Sequence, residues 1–218
     1  MYIPTSFRED DLPTLHAYLD AHPLAALVTA VEGPANLYAT HLPLVLERSV
    51  GSLGTLRGHL ARANPHARQL VTGAAQALVL FSGPDAYITP NWYPLKAEHG
   101  RVVPTWNYVA VHAFGTAVLR DDPEFLHAHL EALVARHEAS RSMGWRVSDA
   151  PAGFIAQQAR AIVGLEIQID RLEGKWKMSQ NQPDSARIGV ASGLTLRGDE
   201  RSLGMSEMVT ATIGTGQR

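Results

Sequence analysis

Tyr87 to Gly115 holds the side chains best suited to gripping a flat ligand. The segment opens Tyr-Ile-Thr-Pro-Asn-Trp-Tyr-Pro-Leu-Lys and closes Val-Pro-Thr-Trp-Asn-Tyr-Val-Ala-Val-His-Ala-Phe-Gly. It carries two of the four Trp and three of the six Tyr, interleaved with amides and hydroxyls. Rings of this kind stack on a planar heteroaromatic group while the amides read its polar edge. The same residues also suit an aromatic hairpin that closes a barrel or a dimer interface, because aromatics are enriched in strands and interfaces.

Three further constellations could carry chemistry. Gly58-His59-Leu60-Ala61-Arg62-Ala63-Asn64-Pro65 leads from a strand into a helix start. Backbone amides there, beside an Arg guanidinium, can hold an anion; a plain capped helix with a solvated Arg is the alternative. Tyr38-Ala39-Thr40-His41-Leu42-Pro43 lies within a strand. His41 suits either a hydrogen-bonded core or a ligand, and Pro43 marks an edge, a bulge or a close backbone approach. Lys175-Trp176-Lys177-Met178-Ser179-Gln180-Asn181-Gln182 reads as a polar loop after the last strand, able to meet a phosphate or a ring edge, or to stand as a solvated cationic turn. No metal site is expected. His127 and His129 are two apart on a helix and diverge, and cysteine is absent. Ser82-Gly83-Pro84 lacks the pattern of a nucleophile elbow.

Composition narrows the classes. The chain has 218 residues, 45% hydrophobic and 18% charged, enough for one large domain with a real core. Net charge is −2, from 19 basic and 21 acidic residues. The densest basic cluster, Arg57, Arg62 and Arg68 with His59 and His66, could neutralise one phosphate but falls short of a duplex footprint. With no helix-turn-helix pattern either, this argues against direct DNA binding. No run of 18 apolar residues predicts a membrane span, and the N-terminus lacks signal-peptide character. A chain without cysteine fits a reducing compartment, so the expectation is a cytoplasmic protein.

The elements that must position these residues are legible in outline. Residues 9–20 read as a helix ended by His22-Pro23. Leu24–Val31 and Leu37–Glu47 read as a hairpin about the Gly33-Pro34 turn, and Gly51–His59 as a third strand. Asn64 should cap a short helix with Pro65 in its first turn. Ala75–Ser82 and Thr105–Leu119 read as strands joined through a loop at Pro94–Gly100. Asp122 caps a helix over Pro123–His137 whose stripe is Phe125, Leu126, Leu130, Leu133 and Val134. A short helix over Gly153–Arg160, a last strand over Ala161–Ile169 and a helix over Ile188–Leu196 follow. One domain over 1–196 and a weakly ordered, Gly-rich tail over 197–218 are expected. The early connections are too short for crossover helices, which favours an antiparallel β-barrel with peripheral helices.

In sequence order the chain resembles the PaiB family of FMN-binding negative transcriptional regulators, within the FMN-binding split-barrel proteins. The resemblance rests on Met-Tyr-Ile-Pro-Thr-Ser-Phe at the start, Thr40–Pro43, Gly58–Pro65, Tyr87–Tyr93, Val103–Tyr108 with Val111-His112, and Lys177–Asn181. Gln182 stands where the family commonly has Arg. The resemblance implies a mainly β (α+β) fold, a six-stranded antiparallel split barrel with peripheral helices. It implies a homodimer holding the flavin nucleotide FMN in a cleft between subunits. By motif position, cofactor-binding roles fall on Thr40, His41, Leu42, Gly58, His59, Arg62 and Asn64. Trp106 and Asn107 would reach from the partner subunit, and Lys177, Ser179 and Gln180 would add a further loop. Two functions stay open: regulation through cofactor or partner binding, and an FMN-dependent oxidoreductase of the pyridoxamine-phosphate-oxidase-like type. His41, His59 and Tyr108 would be the latter's candidate proton donors. A split barrel that has lost its flavin is a third reading.

Overall fold

Asn107, Val109, Val111, Ala113, Gly115 and Ala117 are all buried and the residues between them partly exposed, as a strand of period two requires. That strand is one of eight in the computed structural model, which describes residues 1–30, 37–71 and 73–214. In chain order the elements are β1 (Arg8–Glu9), α1 (Leu12–Ala21), β2 (Leu24–Ala30), β3 (Leu37–Pro43), β4 (Val45–Glu47), β5 (Thr55–Ala61) and α2 (Pro65–Leu70). Then come β6 (Ala75–Ile88), α3 (Leu95–His99), β7 (Thr105–Arg120), α4 (Pro123–Glu138), α5 (Phe154–Ala159), β8 (Ile162–Lys177), α6 (Asp184–Arg197) and α7 (Glu200–Thr210). Six strands are long, as expected; β1 and β4 are added fragments of two and three residues.

The chain forms two units. Leu12–Phe81 with His112–Leu172 make one; Met1–Asp11, Ser82–Val111 and the chain from Glu173 onward make the other. β6, β7 and β8 each pass from one unit into the other.

In the Leu12–Phe81/His112–Leu172 unit the strands run in the order β3-β2-β6-β7-β8-β5-β4. β2 pairs antiparallel with β3, from Leu24↔Pro43 to Ala30↔Leu37, and β5 with β8, from Thr55↔Gln168 to Ala61↔Ile162. The two edge strands of this open sheet, β3 and β4, are consecutive in the chain. Only Leu44 separates them, so the sheet curls back to its own start without a hydrogen-bonded seam, which is a split barrel. Leu37–Glu47 is therefore two strands, with Pro43 at the corner, because a residue without an N–H cannot continue the ladder. The turn at Gly33-Pro34 lies outside the described residues. Leu27, Val79, Leu165 and Ile167 fill the interior at 0% exposure, while Leu15 and Leu19 of α1 are buried with them.

In the other unit β1 pairs with the end of β8 at Arg8↔Lys175. Helices α6 and α7 pack together, burying Val190, Leu194, Met205 and Val209. Trp92 lies flat on α6: a Cβ at Gly193 would stand 2.2 Å from its indole, and Arg197 covers the ring at 4.8 Å.

Further segments differ from expectation, β6 among them, which runs six residues past Ser82 to Ile88. The loop over Pro94–Gly100 winds into α3, closed by Gly100 in the left-handed region. The last strand runs on to Lys177, since hydrogen-bonded pairing with β1 outlasts the apolar alternation that ends at Ile169. Lys175 and Lys177 are thus strand residues. The expected weak tail contains α7, whose buried stripe Ser202, Met205, Ser206 and Val209 is half serine and so shows little hydrophobic periodicity.

Candidate functional site

In the first unit, the site begins at the entrance to α2. Asn64 Oδ1 accepts the backbone N–H of His66 at 2.9 Å, the cap expected from Asn-Pro. The His66 ring, 1% exposed, sits between two hydroxyls: Nε2 to Thr29 Oγ1 at 2.8 Å and Nδ1 to Thr40 Oγ1 at 2.9 Å. Asn64 Nδ2 donates to the same Thr40 oxygen at 3.3 Å. Burial lowers the His66 pKa, so the neutral ring gives one hydrogen bond and takes one. Thr40 and Asn64 are thereby joined, through a histidine whose role the sequence does not flag. Their side chains anchor β3 to α2. His41, the next residue on β3, alternates to the exposed face opposite Ala26. Leu42 is buried against β5, where a Cβ on Gly58 would stand 3.1 Å from Leu42 Cδ1 and 2.7 Å from Leu44 Cδ2.

His59 faces outward from β5, opposite Gly164 of β8. A Cβ at Gly164 would stand 2.6 Å from the Phe125 ring, so this glycine admits α4 close to the sheet. His59 Nδ1 meets His129 Nε2 of α4 at 3.1 Å, with Phe125 stacked on His129 and Arg57 5.6 Å from the Phe125 ring. The other nitrogen of His129, Nδ1, is buried without a partner among the described residues. Burial, then the neighbouring His59 and Arg57, pushes the His129 pKa down to about 4; burial also lowers that of His59. Of the predicted α4 stripe only Leu126 is fully buried, and His129 shares its depth. Arg62 projects to the surface. Its Nη1 and Nη2 reach Asp121 at 2.8 and 2.5 Å and its Nε donates to the Arg160 carbonyl at 3.0 Å. Asp121 raises the Arg62 pKa, and Arg62 lowers that of Asp121. This exposed pair lines a cavity of about 730 Å³ beside α4 and α5 and another of about 410 Å³ beside α2.

In the second unit, the ends of β7 and β8 bring together Trp106, Asn107, Lys177 and Ser179. Asn107 Nδ2 donates to Ser179 Oγ at 2.9 Å, and both residues are buried. Ser179 holds φ at +62°, a rare conformation for a residue with a Cβ. Lys177 Nζ donates to Thr105 Oγ1 at 2.5 Å and to the Trp106 carbonyl at 2.7 Å. Gln180 folds back, accepting the Met178 N–H at 2.7 Å and donating to the Trp176 carbonyl. A cavity of about 260 Å³ opens here, with Tyr93 and Arg101 also on its wall. Of the aromatic segment, Trp92 is committed to α6, whereas Tyr87 and Trp106 form an exposed edge-to-face pair. Among the described residues no group of three or more His, Asp or Glu converges as a metal site.

The family described as "Putative FMN-binding domain" matches residues 1–171. An uncharacterised protein of Emericella nidulans is 37% identical, over 88% of this chain and 90% of its own. A Bacillus subtilis protein named protease synthase and sporulation protein PAI 2 is 28% identical, over 96% of each chain. Among solved structures, an FAD and heme binding protein from Mycobacterium smegmatis aligns with TM-score 0.57 at 19% identity, over 78% of this chain and 73% of that one.

Proposed function

The chain belongs to the FMN-binding domain family, and from that premise we propose that it works as an FMN-loaded, PaiB-like regulatory protein. Its cofactor is FMN, which when bound supplies one- and two-electron redox chemistry. We assign the phosphate to Arg62. The observation that carries this is a planar guanidinium at the approach to α2, held among the described residues by a surface carboxylate and a carbonyl. A surface ion pair contributes little, so a phosphate can replace Asp121 on the same fork. The ring system would lie along β3 at His41 and Leu42. Thr40 and Asn64 hold that strand from within, and Gly58 and His59 of β5 complete the wall.

A homodimer completes this reading. Leu24 and Leu37 are 66% and 70% exposed on β2 and β3, and Trp106 is 53% exposed on β7. Side chains of this kind are the ones a second copy covers. Trp106 is the better placed of the expected pair to reach a partner's flavin, since Asn107 is 1% exposed and bonded to Ser179. Among the described residues no helix is long and apolar enough to cross a membrane. With no cysteine in the chain, we place the protein in the cytoplasm.

Regulation through the cofactor or a partner is favoured over oxidoreductase chemistry by the state of the proton donors. His59 is tied to His129, and Tyr108 lies beside the Lys175 ammonium, 5.1 Å from its ring. Only His41 of the three is exposed. The Bacillus relative is named for protease synthesis and sporulation, and control of that kind is proposed here too. The test is the absorbance spectrum of purified protein with and without added FMN, followed by NADH and NADPH oxidation. A flavin spectrum without turnover supports the reading; steady turnover would shift it to the oxidoreductase.

A further inference from the structure

Two lysines of the second unit give their ammonium groups to neutral acceptors. Lys175 is 8% exposed; its Nζ donates to the Tyr2 carbonyl at 3.1 Å and rests beside the Tyr2 and Tyr108 rings. Lys177, two residues on and half-buried, gives its ammonium to Thr105 Oγ1 and the Trp106 carbonyl. These acceptors are all neutral. Arg101, at the rim, has no side-chain partner among the described residues. Taking an ammonium out of water without a counter-charge is costly, and proteins pair such groups or bind an ion against them. Burial and the neighbouring Lys175 both lower the Lys177 pKa, the mark of an uncompensated cation.

Lys177 and Arg101 face one cavity, whose wall continues through Asn107, Ser179 and Tyr93. The polar groups are rigidly set: Asn107 and Ser179 bond each other, and burial raises the Tyr93 pKa, so its phenol stays a neutral donor. At about 260 Å³ the cavity falls below the roughly 300–1,000 Å³ typical of sites for drug-sized ligands. It suits a small acid and is too small to enclose a flavin nucleotide.

We propose that this cavity binds a small oxyanion-bearing ligand, a carboxylate or a phosphate ester, in addition to FMN. Lys177 and Arg101 supply the charge, and the neutral Tyr93 phenol a hydrogen bond, on a wall that the Asn107–Ser179 pair holds in place. The bound acid is then the effector, or the substrate, of the flavin-loaded protein. Its assignment to that role rests on the FMN reading; the site itself does not.

The experiment is calorimetric titration of inorganic phosphate and of malonate into FMN-loaded and flavin-free protein, with FMN affinity measured separately by flavin fluorescence. Saturable binding of at least one anion is expected in both forms. Lys177→Gln and Arg101→Gln should each weaken it about tenfold or more, and Lys177→Arg should retain it. Arg101 is exposed, so its variant reports on the site even if Lys177→Gln folds poorly, and it should leave FMN affinity unchanged. No saturable binding of either anion would overturn the proposal. So would anion binding that vanishes on FMN loading, which would make the cavity the seat of the cofactor phosphate. A protein that binds the anions and not FMN would sink the cofactor reading and leave the anion site standing.

Discussion

Arg62 concentrates the cofactor reading in one side chain. Its fork is satisfied by Asp121 and the Arg160 carbonyl, both at the surface, so it has no buried structural task. Arg62→Ala should therefore weaken FMN much more than riboflavin, which has no phosphate. A charge-assisted hydrogen bond contributes about 1.5–3 kcal/mol, or roughly ten- to a hundredfold in affinity. Flavin-fluorescence titrations with both ligands decide it; equal losses would mean that Arg62 supports the local fold. Gly193 is the opposite kind of residue, fixed by packing. Gly193→Ala places a methyl inside the Trp92 indole and should cost about 1–3 kcal/mol, read as a lower thermal midpoint.

Helix α4 makes its own prediction at the scale of an element. It is held to β5 through His59 and His129, both uncharged, with Arg57 near and Arg120 and Glu166 paired across the adjacent strands. In the unfolded chain His129 takes up a proton near pH 6.5; in the folded protein it resists until about pH 4. The unfolded state thus binds more protons between those values. The stabilisation is complete above pH 6.5, drains away as pH falls toward 4, and is absent below. The loss should be on the order of 2–3 kcal/mol. Urea unfolding between pH 7.5 and 4.5 should show the decline, and His129→Gln should flatten it. An unchanged slope in the variant would remove His129 as its source.

For the whole molecule the expectation is a dimer without operator DNA. A stable interface buries roughly 1,200–2,000 Å² in total, and the exposed Leu24, Leu37 and Trp106 would contribute to it. Light scattering at micromolar concentration should give twice the 23.7 kDa chain mass; a monomer would also undercut a shared flavin cleft. Sequence-specific DNA binding needs several clustered cations, whereas this chain is net acidic at −2 and a dimer doubles that acidity. A nanomolar gel shift with a defined operator, surviving about 150 mM salt and competitor DNA, would reverse this expectation.

The sequence alone determined whatever depends on neighbours along the chain. Apolar and β-branched runs bounded by turns marked β2, β5, β7 and the first half of β6, Asn64-Pro65 marked the start of α2, and Asp122-Pro123 marked α4, because strand composition and helix caps are written within a few residues. Motif order carried the family. Tertiary structure decided what depends on partners far away in sequence. It alone joins Thr40, Asn64 and Thr29 through His66, sets His59 against His129 seventy residues on, and turns Trp92 from a ligand platform into a cover for α6. It continued β8 to Lys177 through pairing with β1, and so placed two lysines with their ammonium groups on neutral acceptors. Hydrogen bonds and burial of this range leave no periodic trace in the sequence, since each needs a second segment brought alongside by the fold.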